Sequence, residues 1–366
     1  MARGLAAALS ILIACGGDPG GGGADGGAAD AGALPVIERE RSLVWIDPAI
    51  VDDPAIVGLG RVMAAVAEDG HGGARLREWL GTFAVTSHSE RPGPALLGEE
   101  LESQLGDPTG WDLDALPFVV TAVHNRIDLA PRQGGCGELR VSLASTHAIY
   151  APLHIIFLFR QEPGPGDVDG SVVHCRATAA RWAGLSELDG SELVAAARAL
   201  LDENLVRERF LMAESVELTV SPWEWRQWIG VTNPPLFQTV DAARLNQPGA
   251  LRDDFVQFAE ENAAALMART AEIPARFRSQ SAQAPPSVPR TPLALDIAGY
   301  PELAGEIEIM GCPTCHTDDA EFVQTTPQRT FSPFYDKELD ARAAWLSVLA
   351  GGGDPGVPPF GPLQAR

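Results

Sequence analysis

Apolar positions switch between helical and strand spacing along the chain, and the switches mark out its elements. In residues 56–67, Val57, Leu59, Val62, Met63 and Val66 recur on one face at helical spacing, which predicts a helix. Residues 74–82 predict a second, through Leu76, Trp79 and Leu80. The stretch 87–111 is rich in Pro, Gly and acids and reads as a loop with a short helix at 96–105. Strand signals follow. Residues 118–123 are almost wholly apolar, 139–143 alternate with period two, and 154–159 form another apolar run. Residues 216–220 and 223–231 predict two more strands joined around Ser221-Pro222, with Trp223, Trp225 and Trp228 suggesting one buried face. A helix is predicted over 192–212, with Ser191 as N-cap, and another over 251–273, ended by Pro274. The last helix opens at Tyr335 and carries Leu339, Ala343, Leu346 and Leu349 on one face, with Asp336 and Glu338 in its first turn.

This order predicts an α+β fold: a mainly antiparallel sheet with helices, followed by a small α-helical module. Residues 279–293 contain four prolines and read as a linker. The expected organisation is therefore an α+β domain over 36–278, the linker, a C-terminal module over 294–350 and a loose tail over 351–366. No repeat is visible.

Composition narrows the function classes. The 366 residues carry 27 basic and 49 acidic side chains, a formal charge of -22. That excludes a sequence-independent grip on nucleic acid, which needs clustered cations against phosphates. It also excludes an electrostatic hold on anionic lipid. Of the basic residues only Lys337 is a lysine. Five cysteines is an odd count, so at least one has a fate other than an internal disulfide.

The N-terminus suggests that fate. Arg3 precedes an 11-residue, mostly apolar run, Gly4 to Ala14, too short to span a bilayer and ending in small residues before Cys15. Leu12-Ile13-Ala14-Cys15 resembles the lipobox of bacterial lipoproteins. The resemblance implies that residues 1–14 are a signal peptide, that Cys15 becomes the acylated N-terminus, and that Gly16 directs the protein to the outer membrane, facing the periplasm or the cell surface. Nine glycines in residues 16–33 fit a flexible tether over 15–35. Membrane contact is then expected through the lipid anchor. The compartment would be oxidising, where a disulfide between Cys136 and Cys175 is favoured over two free thiols.

Cys312-Pro313-Thr314-Cys315-His316 is a C-x-x-C-H motif. Two thiols three residues apart share one face of a helical turn, and the next histidine can be carried beneath a bound iron. The motif resembles the haem attachment site of c-type cytochromes. The resemblance implies covalent haem c, with thioethers at Cys312 and Cys315, iron on His316 and a redox partner protein. The helix from Tyr335 is similar to the C-terminal helix of small cytochromes c. Those proteins supply a distal Met or His after the motif, whereas residues 317–366 contain neither. The distal ligand would come from Met63, Met212, Met267 or a histidine of the large domain, or the iron would be open. Met310 precedes the motif too closely. A Cys312–Cys315 disulfide without haem is the alternative, since a zinc site would lack ligands.

In the large domain, His124-Asn125-Arg126-Ile127-Asp128-Leu129-Ala130-Pro131 precedes Cys136-Gly137-Glu138-Leu139-Arg140. Arg126 with Asp128 and Glu138 with Arg140 predict a partly buried ion-pair network between adjacent strands. The functional reading is a site at the strand ends where His124 or Arg126 contacts a ligand. These segments and the C-x-x-C-H are similar to those of a set of exported bacterial proteins with no assigned activity. His174-Cys175 is a weaker candidate for a metal or catalytic site. No nucleotide-binding or hydrolase motif occurs. The function expected from the resemblance is electron transfer, or a haem-dependent accessory role, at the cell envelope. The alternatives are a non-enzymatic binding or structural lipoprotein and a peroxidase-like enzyme with an open haem site.

Overall fold

The computed structural model describes residues 33–67, 70–84, 92–130, 135–150, 153–218, 224–229, 236–237, 245, 248–267, 271, 273–277, 295–304 and 325–356. The described elements begin at Arg39. In chain order the helices are α1 (Arg39–Ser42), α2 (Pro48–Val51), α3 (Leu59–Val66), α4 (Gly72–Gly81), α5 (Gly93–Leu105), α6 (Arg176–Gly184), α7 (Gly190–Asn204), α8 (Ala250–Met267) and α9 (Pro333–Ala350). The strands are β1 (Val44–Trp45), β2 (Phe118–Arg126), β3 (Glu138–Ser145), β4 (Leu153–Arg160), β5 (Phe210–Glu217), β6 (Glu224–Ile229) and β7 (Leu236–Phe237). The fold is α+β, as the order of signals suggests. No helix among the described residues is long and apolar enough to cross a membrane.

The strands form one antiparallel meander in sequence order, with five long strands between the two-residue β1 and β7. Pairing fixes its two faces, because side chains alternate along each strand. Val123, Val141, Phe157, Ala213 and Trp228 align on one face by register, and all lie in the principal core. Trp79 of α4 covers this face: its indole N–H donates to Ser215 Oγ at 2.8 Å and its ring meets Trp228 edge-on at 4.2 Å. The opposite face carries His124, Arg126, Glu138, Arg140, Ser142, His154, Ile156, Leu158 and Met212.

Helix α9 belongs to the body. Ser332 caps it by accepting from Tyr335 N. Its Tyr335, Leu339, Trp345, Leu346 and Leu349 lie in the principal core, and the helix packs against α6. A second, smaller core forms around α8, where Phe255 and Phe277 meet at 5.2 Å, and it includes Ile297 and Leu303. The described parts of 294–350 share both cores with residues of 36–278. The apolar stripe of α9 was compatible with either neighbour; only its tertiary contacts decide. The linker 279–293 lies outside the described residues.

Two further expectations change. The helix over 192–212 ends at Asn204, and residues 210–212 open β5. No Gly or Pro marks the break. Asn204 makes it, because its buried side chain donates to Leu200 O and accepts from Glu162 N. The N-cap of α7 is Asp189, without a side-chain bond, and not Ser191. Trp228 lies opposite Ala213 in the principal core; Trp223 and the side chain of Trp225 lie outside what is described.

Candidate functional site

The segment from His124 to Asp128 leaves β2 and enters a short turn, and Glu138 and Arg140 open β3 beside it. Register sets Arg126 against Glu138 and His124 against Arg140. Arg126 grips Asp128 with two nitrogens, Nε to Oδ1 at 3.0 Å and Nη2 to Oδ2 at 2.8 Å. Arg140 Nε donates to Glu138 Oε2 at 2.6 Å. Both expected pairs are thus present, each within its own strand end, and the register sets the two beside one another. What the sequence reading missed is their third layer, from α9. Arg342 Nε lies 3.5 Å from Asp128 Oδ1, and Glu338 Oε1 lies 3.8 Å from Arg126 Nη1 and 3.7 Å from Arg342 Nη1. Glu338 and Arg342 are four residues apart, hence on one helical face, and that spacing was the available signal.

Three guanidiniums meet three carboxylates, so the cluster is formally neutral. Arg126, Asp128, Glu138, Glu338 and Arg342 are all buried. Burial pulls the Arg126 pKa down, but Asp128 and Glu338 outweigh it and the net shift is upward. Burial raises the Asp128 pKa, and Arg126 and Arg342 more than reverse it, so the group is held below its ordinary value. His124 is fixed at both ring nitrogens: Nδ1 meets Tyr335 Oη at 2.5 Å and Nε2 meets Ser142 Oγ at 3.1 Å. Burial, then Arg342, Arg140 and Arg126, push its pKa well below the usual histidine range. Burial also pushes the Tyr335 phenol up to about 12. The pair is therefore a neutral imidazole and a neutral phenol.

Asn125 organises the same region. Its backbone N–H donates to Leu43 O, and its side-chain amide donates to Ser42 O. Its side-chain oxygen accepts from Ile127 N and Gln161 Nε2, and its carbonyl accepts from Arg342 Nη2. Three buried atoms of the cluster, Glu138 Oε1, Glu338 Oε1 and Arg342 Nη1, have no hydrogen-bond partner among the described residues; its other contacts tie β1, β2, β3 and α9 together. His124 and Arg126 are buried and already partnered within the cluster, which supports the ion-pair reading of these positions.

Cys136 and Cys175 form a disulfide, with Cα atoms 5.6 Å apart. Asp167 lies beside it, 3.6 Å from Cys136 Sγ, giving a Cys-Asp-Cys group. It does not make a metal centre. The sulfurs are bonded to each other, and the carboxylate already accepts from Gly164 N, Ala177 N, Thr178 N and Thr178 Oγ1. Asp167 instead caps the start of α6. His174 is exposed and contacts Ser171 Oγ at 3.2 Å, which ends the case for a His174-Cys175 site.

Cys15, Cys312, Cys315 and His316 lie outside the described residues. Their neighbours in sequence do not. Leu303 is in the second core, and the turn after the motif is tied to the body by Arg329, which pairs with Asp52 and donates to Val120 O at 3.3 Å. A small pocket of about 100 Å³ beside Asp52, Asp114 and Phe118 is below the size of cofactor sites. Most candidate sixth ligands are already committed. Met63 is in the principal core, and Met267 packs on the second. His124 uses both nitrogens. His147 Nδ1 accepts from Ile149 N and Tyr150 N, and its Nε2 lies 3.6 Å from Glu100. His154 is buried on the face of β4 opposite the principal core. No protein-family model, curated protein or solved structure matches the chain.

Proposed function

We propose that the protein is an exported, lipid-anchored c-type haem protein that transfers electrons at the cell envelope. The C-x-x-C-H sequence at 312–316 carries this reading. Cys312 and Cys315 would hold the haem through thioethers and His316 would ligate its iron. The group supplies reversible one-electron storage when bound. Cys15 would bear the lipid, placing the protein at the outer membrane with a redox protein as partner. The Cys136–Cys175 disulfide supports an oxidising compartment. The body's part is to anchor both flanks of the motif, exclude water and fix the surroundings that tune the potential.

The test is expression with a haem-maturation system, followed by acid–acetone extraction and a spectrum. A covalently retained Soret band that is lost in the Cys312→Ala, Cys315→Ala variant is expected. Its absence from the wild type would reject the reading in favour of a haem-free lipoprotein with a Cys312–Cys315 disulfide. For the anchor, Cys15→Ser should move the protein from the membrane to the soluble fraction.

A further inference from the structure

We propose that the buried ionic cluster holds ordered internal water, bound by Glu338 Oε1, Arg342 Nη1 and Glu138 Oε1. These three buried atoms have no hydrogen-bond partner among the described residues. Their side chains are 3%, 2% and 0% exposed in that order. Buried polar atoms are almost always paired, and bound water is the usual partner where the protein supplies none. Here three such atoms, from β3 and α9, fall within one cluster.

The geometry leaves the Glu338 side of the cluster open to a bridge. Arg126 and Asp128 meet at 2.8 Å, and Arg140 and Glu138 at 2.6 Å. Glu338 Oε1 instead stands 3.7 Å from Arg342 Nη1 and 3.8 Å from Arg126 Nη1, beyond hydrogen-bond reach. Two groups that share one water at ordinary distances stand up to about 5.6 Å apart, so these gaps suit a bridge. Glu138 lies directly across the strands from Arg126. Its charge, like that of Glu338, adds to the upward shift of the Arg126 pKa, so both carboxylates border the same guanidinium. A direct Glu338–Arg342 bond would pair two of the three atoms and leave Glu138 Oε1 out.

Charge and bonding capacity select the occupant. Arg126, Arg140 and Arg342 balance Asp128, Glu138 and Glu338, so a charged guest would bury a net charge. A cation beside the two carboxylate oxygens would meet Arg342 Nη1, and an anion beside Arg342 would meet the carboxylates. Water is neutral and carries two donors and two acceptor positions. It can donate to both carboxylate oxygens and accept from the guanidinium, which matches the unpaired set of two acceptors and one donor. This water links α9 to β3, beside the direct bonds by which Tyr335 and Arg342 reach β2.

The test is a high-resolution crystal structure of the full chain. A solvent peak within about 3.2 Å of Glu338 Oε1 and Arg342 Nη1 is expected, with Glu138 Oε1 bonded to the same molecule or to a second one next to it. Closure of Glu338 onto Arg342 at direct hydrogen-bond distance, with no peak between them, would overturn the proposal. So would an anomalous peak at the site after a bromide or rubidium soak, which would make the guest an ion. In solution, oxygen-17 relaxation dispersion counts the waters that stay bound for longer than the protein takes to tumble. The Glu338→Met, Arg342→Met variant removes both charges together and keeps the cluster neutral, and it should hold at least one such water fewer than the wild type. An equal count in the folded double variant would overturn the proposal. If that variant does not fold, the wild-type crystal structure decides alone.

Discussion

Tyr335 Oη lies 2.5 Å from Nδ1 of His124, across 211 residues of sequence. The contact seats helix α9 on strand β2 inside the ionic cluster. Six charged side chains next to it repeat the link, with Arg342 reaching both Asp128 and the carbonyl of Asn125. The chain that follows the C-x-x-C-H motif is thereby fixed to the strand that begins the sheet's polar face.

Removing one member of this cluster leaves opposite charges buried without a partner. Arg342→Ala should lower unfolding stability by about 3–5 kcal/mol. Arg39→Ala should cost under about 1 kcal/mol, because its partners Asp336 and Asp340 are largely exposed. Urea midpoints of the two variants test the contrast, and equal losses would mean that burial of the cluster adds nothing.

The same cluster sets a pH dependence. His124 has a folded-state pKa far below its unfolded value near 6.5. Above about pH 6.5 it is neutral in both states and has no effect. As pH falls below that, the unfolded chain binds a proton that the folded chain refuses, so stability is lost progressively. Asp128, also depressed when folded, adds a further loss below about pH 4. The His124→Phe, Tyr335→Phe double variant removes the histidine and its partner together. Its urea midpoint should fall less steeply than that of the wild type between about pH 6.5 and 4; an unchanged slope would show that His124 does not titrate with unfolding.

Much of this was legible in the sequence, for identifiable reasons. Strands β2, β3 and β4 are marked by period-two or unbroken apolar runs, and the pairs Arg126–Asp128 and Glu138–Arg140 sit two residues apart within such text. Glu338 and Arg342 were read only as part of an amphipathic helix, because nothing local says that a charged face will be buried. Where α9 packs depends on contacts more than 200 residues away in sequence, and periodicity contains no such information. The end of α7 was hidden for a related reason: Asn204 breaks the helix through a bond to Glu162, a partner 42 residues earlier.

The disulfide closes a loop between residues 39 apart. Loop-closure entropy assigns it about 4 kcal/mol. The Cys136→Ser, Cys175→Ser variant should lose an amount of that order, read from urea midpoints. Adding a reductant should destabilise the wild type similarly and leave the variant unchanged. A reductant-insensitive wild type would mean that the bond is absent or contributes nothing.

Arg329 is the one non-glycine among the described residues with positive φ, at 61°. It occupies the last position of a turn in which its N–H donates to Thr326 O at 2.8 Å and Thr326 N donates to Thr330 O at 3.0 Å. A side chain in this left-handed conformation costs about 1–2 kcal/mol, which glycine would avoid. The arginine is tolerated because its guanidinium pairs with Asp52 and reaches Val120 O. That pairing also draws the Asp52 pKa down, chiefly through the hydrogen bond from Arg329. Asp52 is more than half exposed, so the pair contributes at most about 1 kcal/mol. Arg329→Ala loses the pair and keeps the strain, whereas Arg329→Gly loses the pair and relieves it. The glycine variant should therefore be more stable than the alanine variant by about 1 kcal/mol, read as a higher urea midpoint. The opposite order would show that the turn relaxes out of the left-handed region once the anchor to Asp52 is cut.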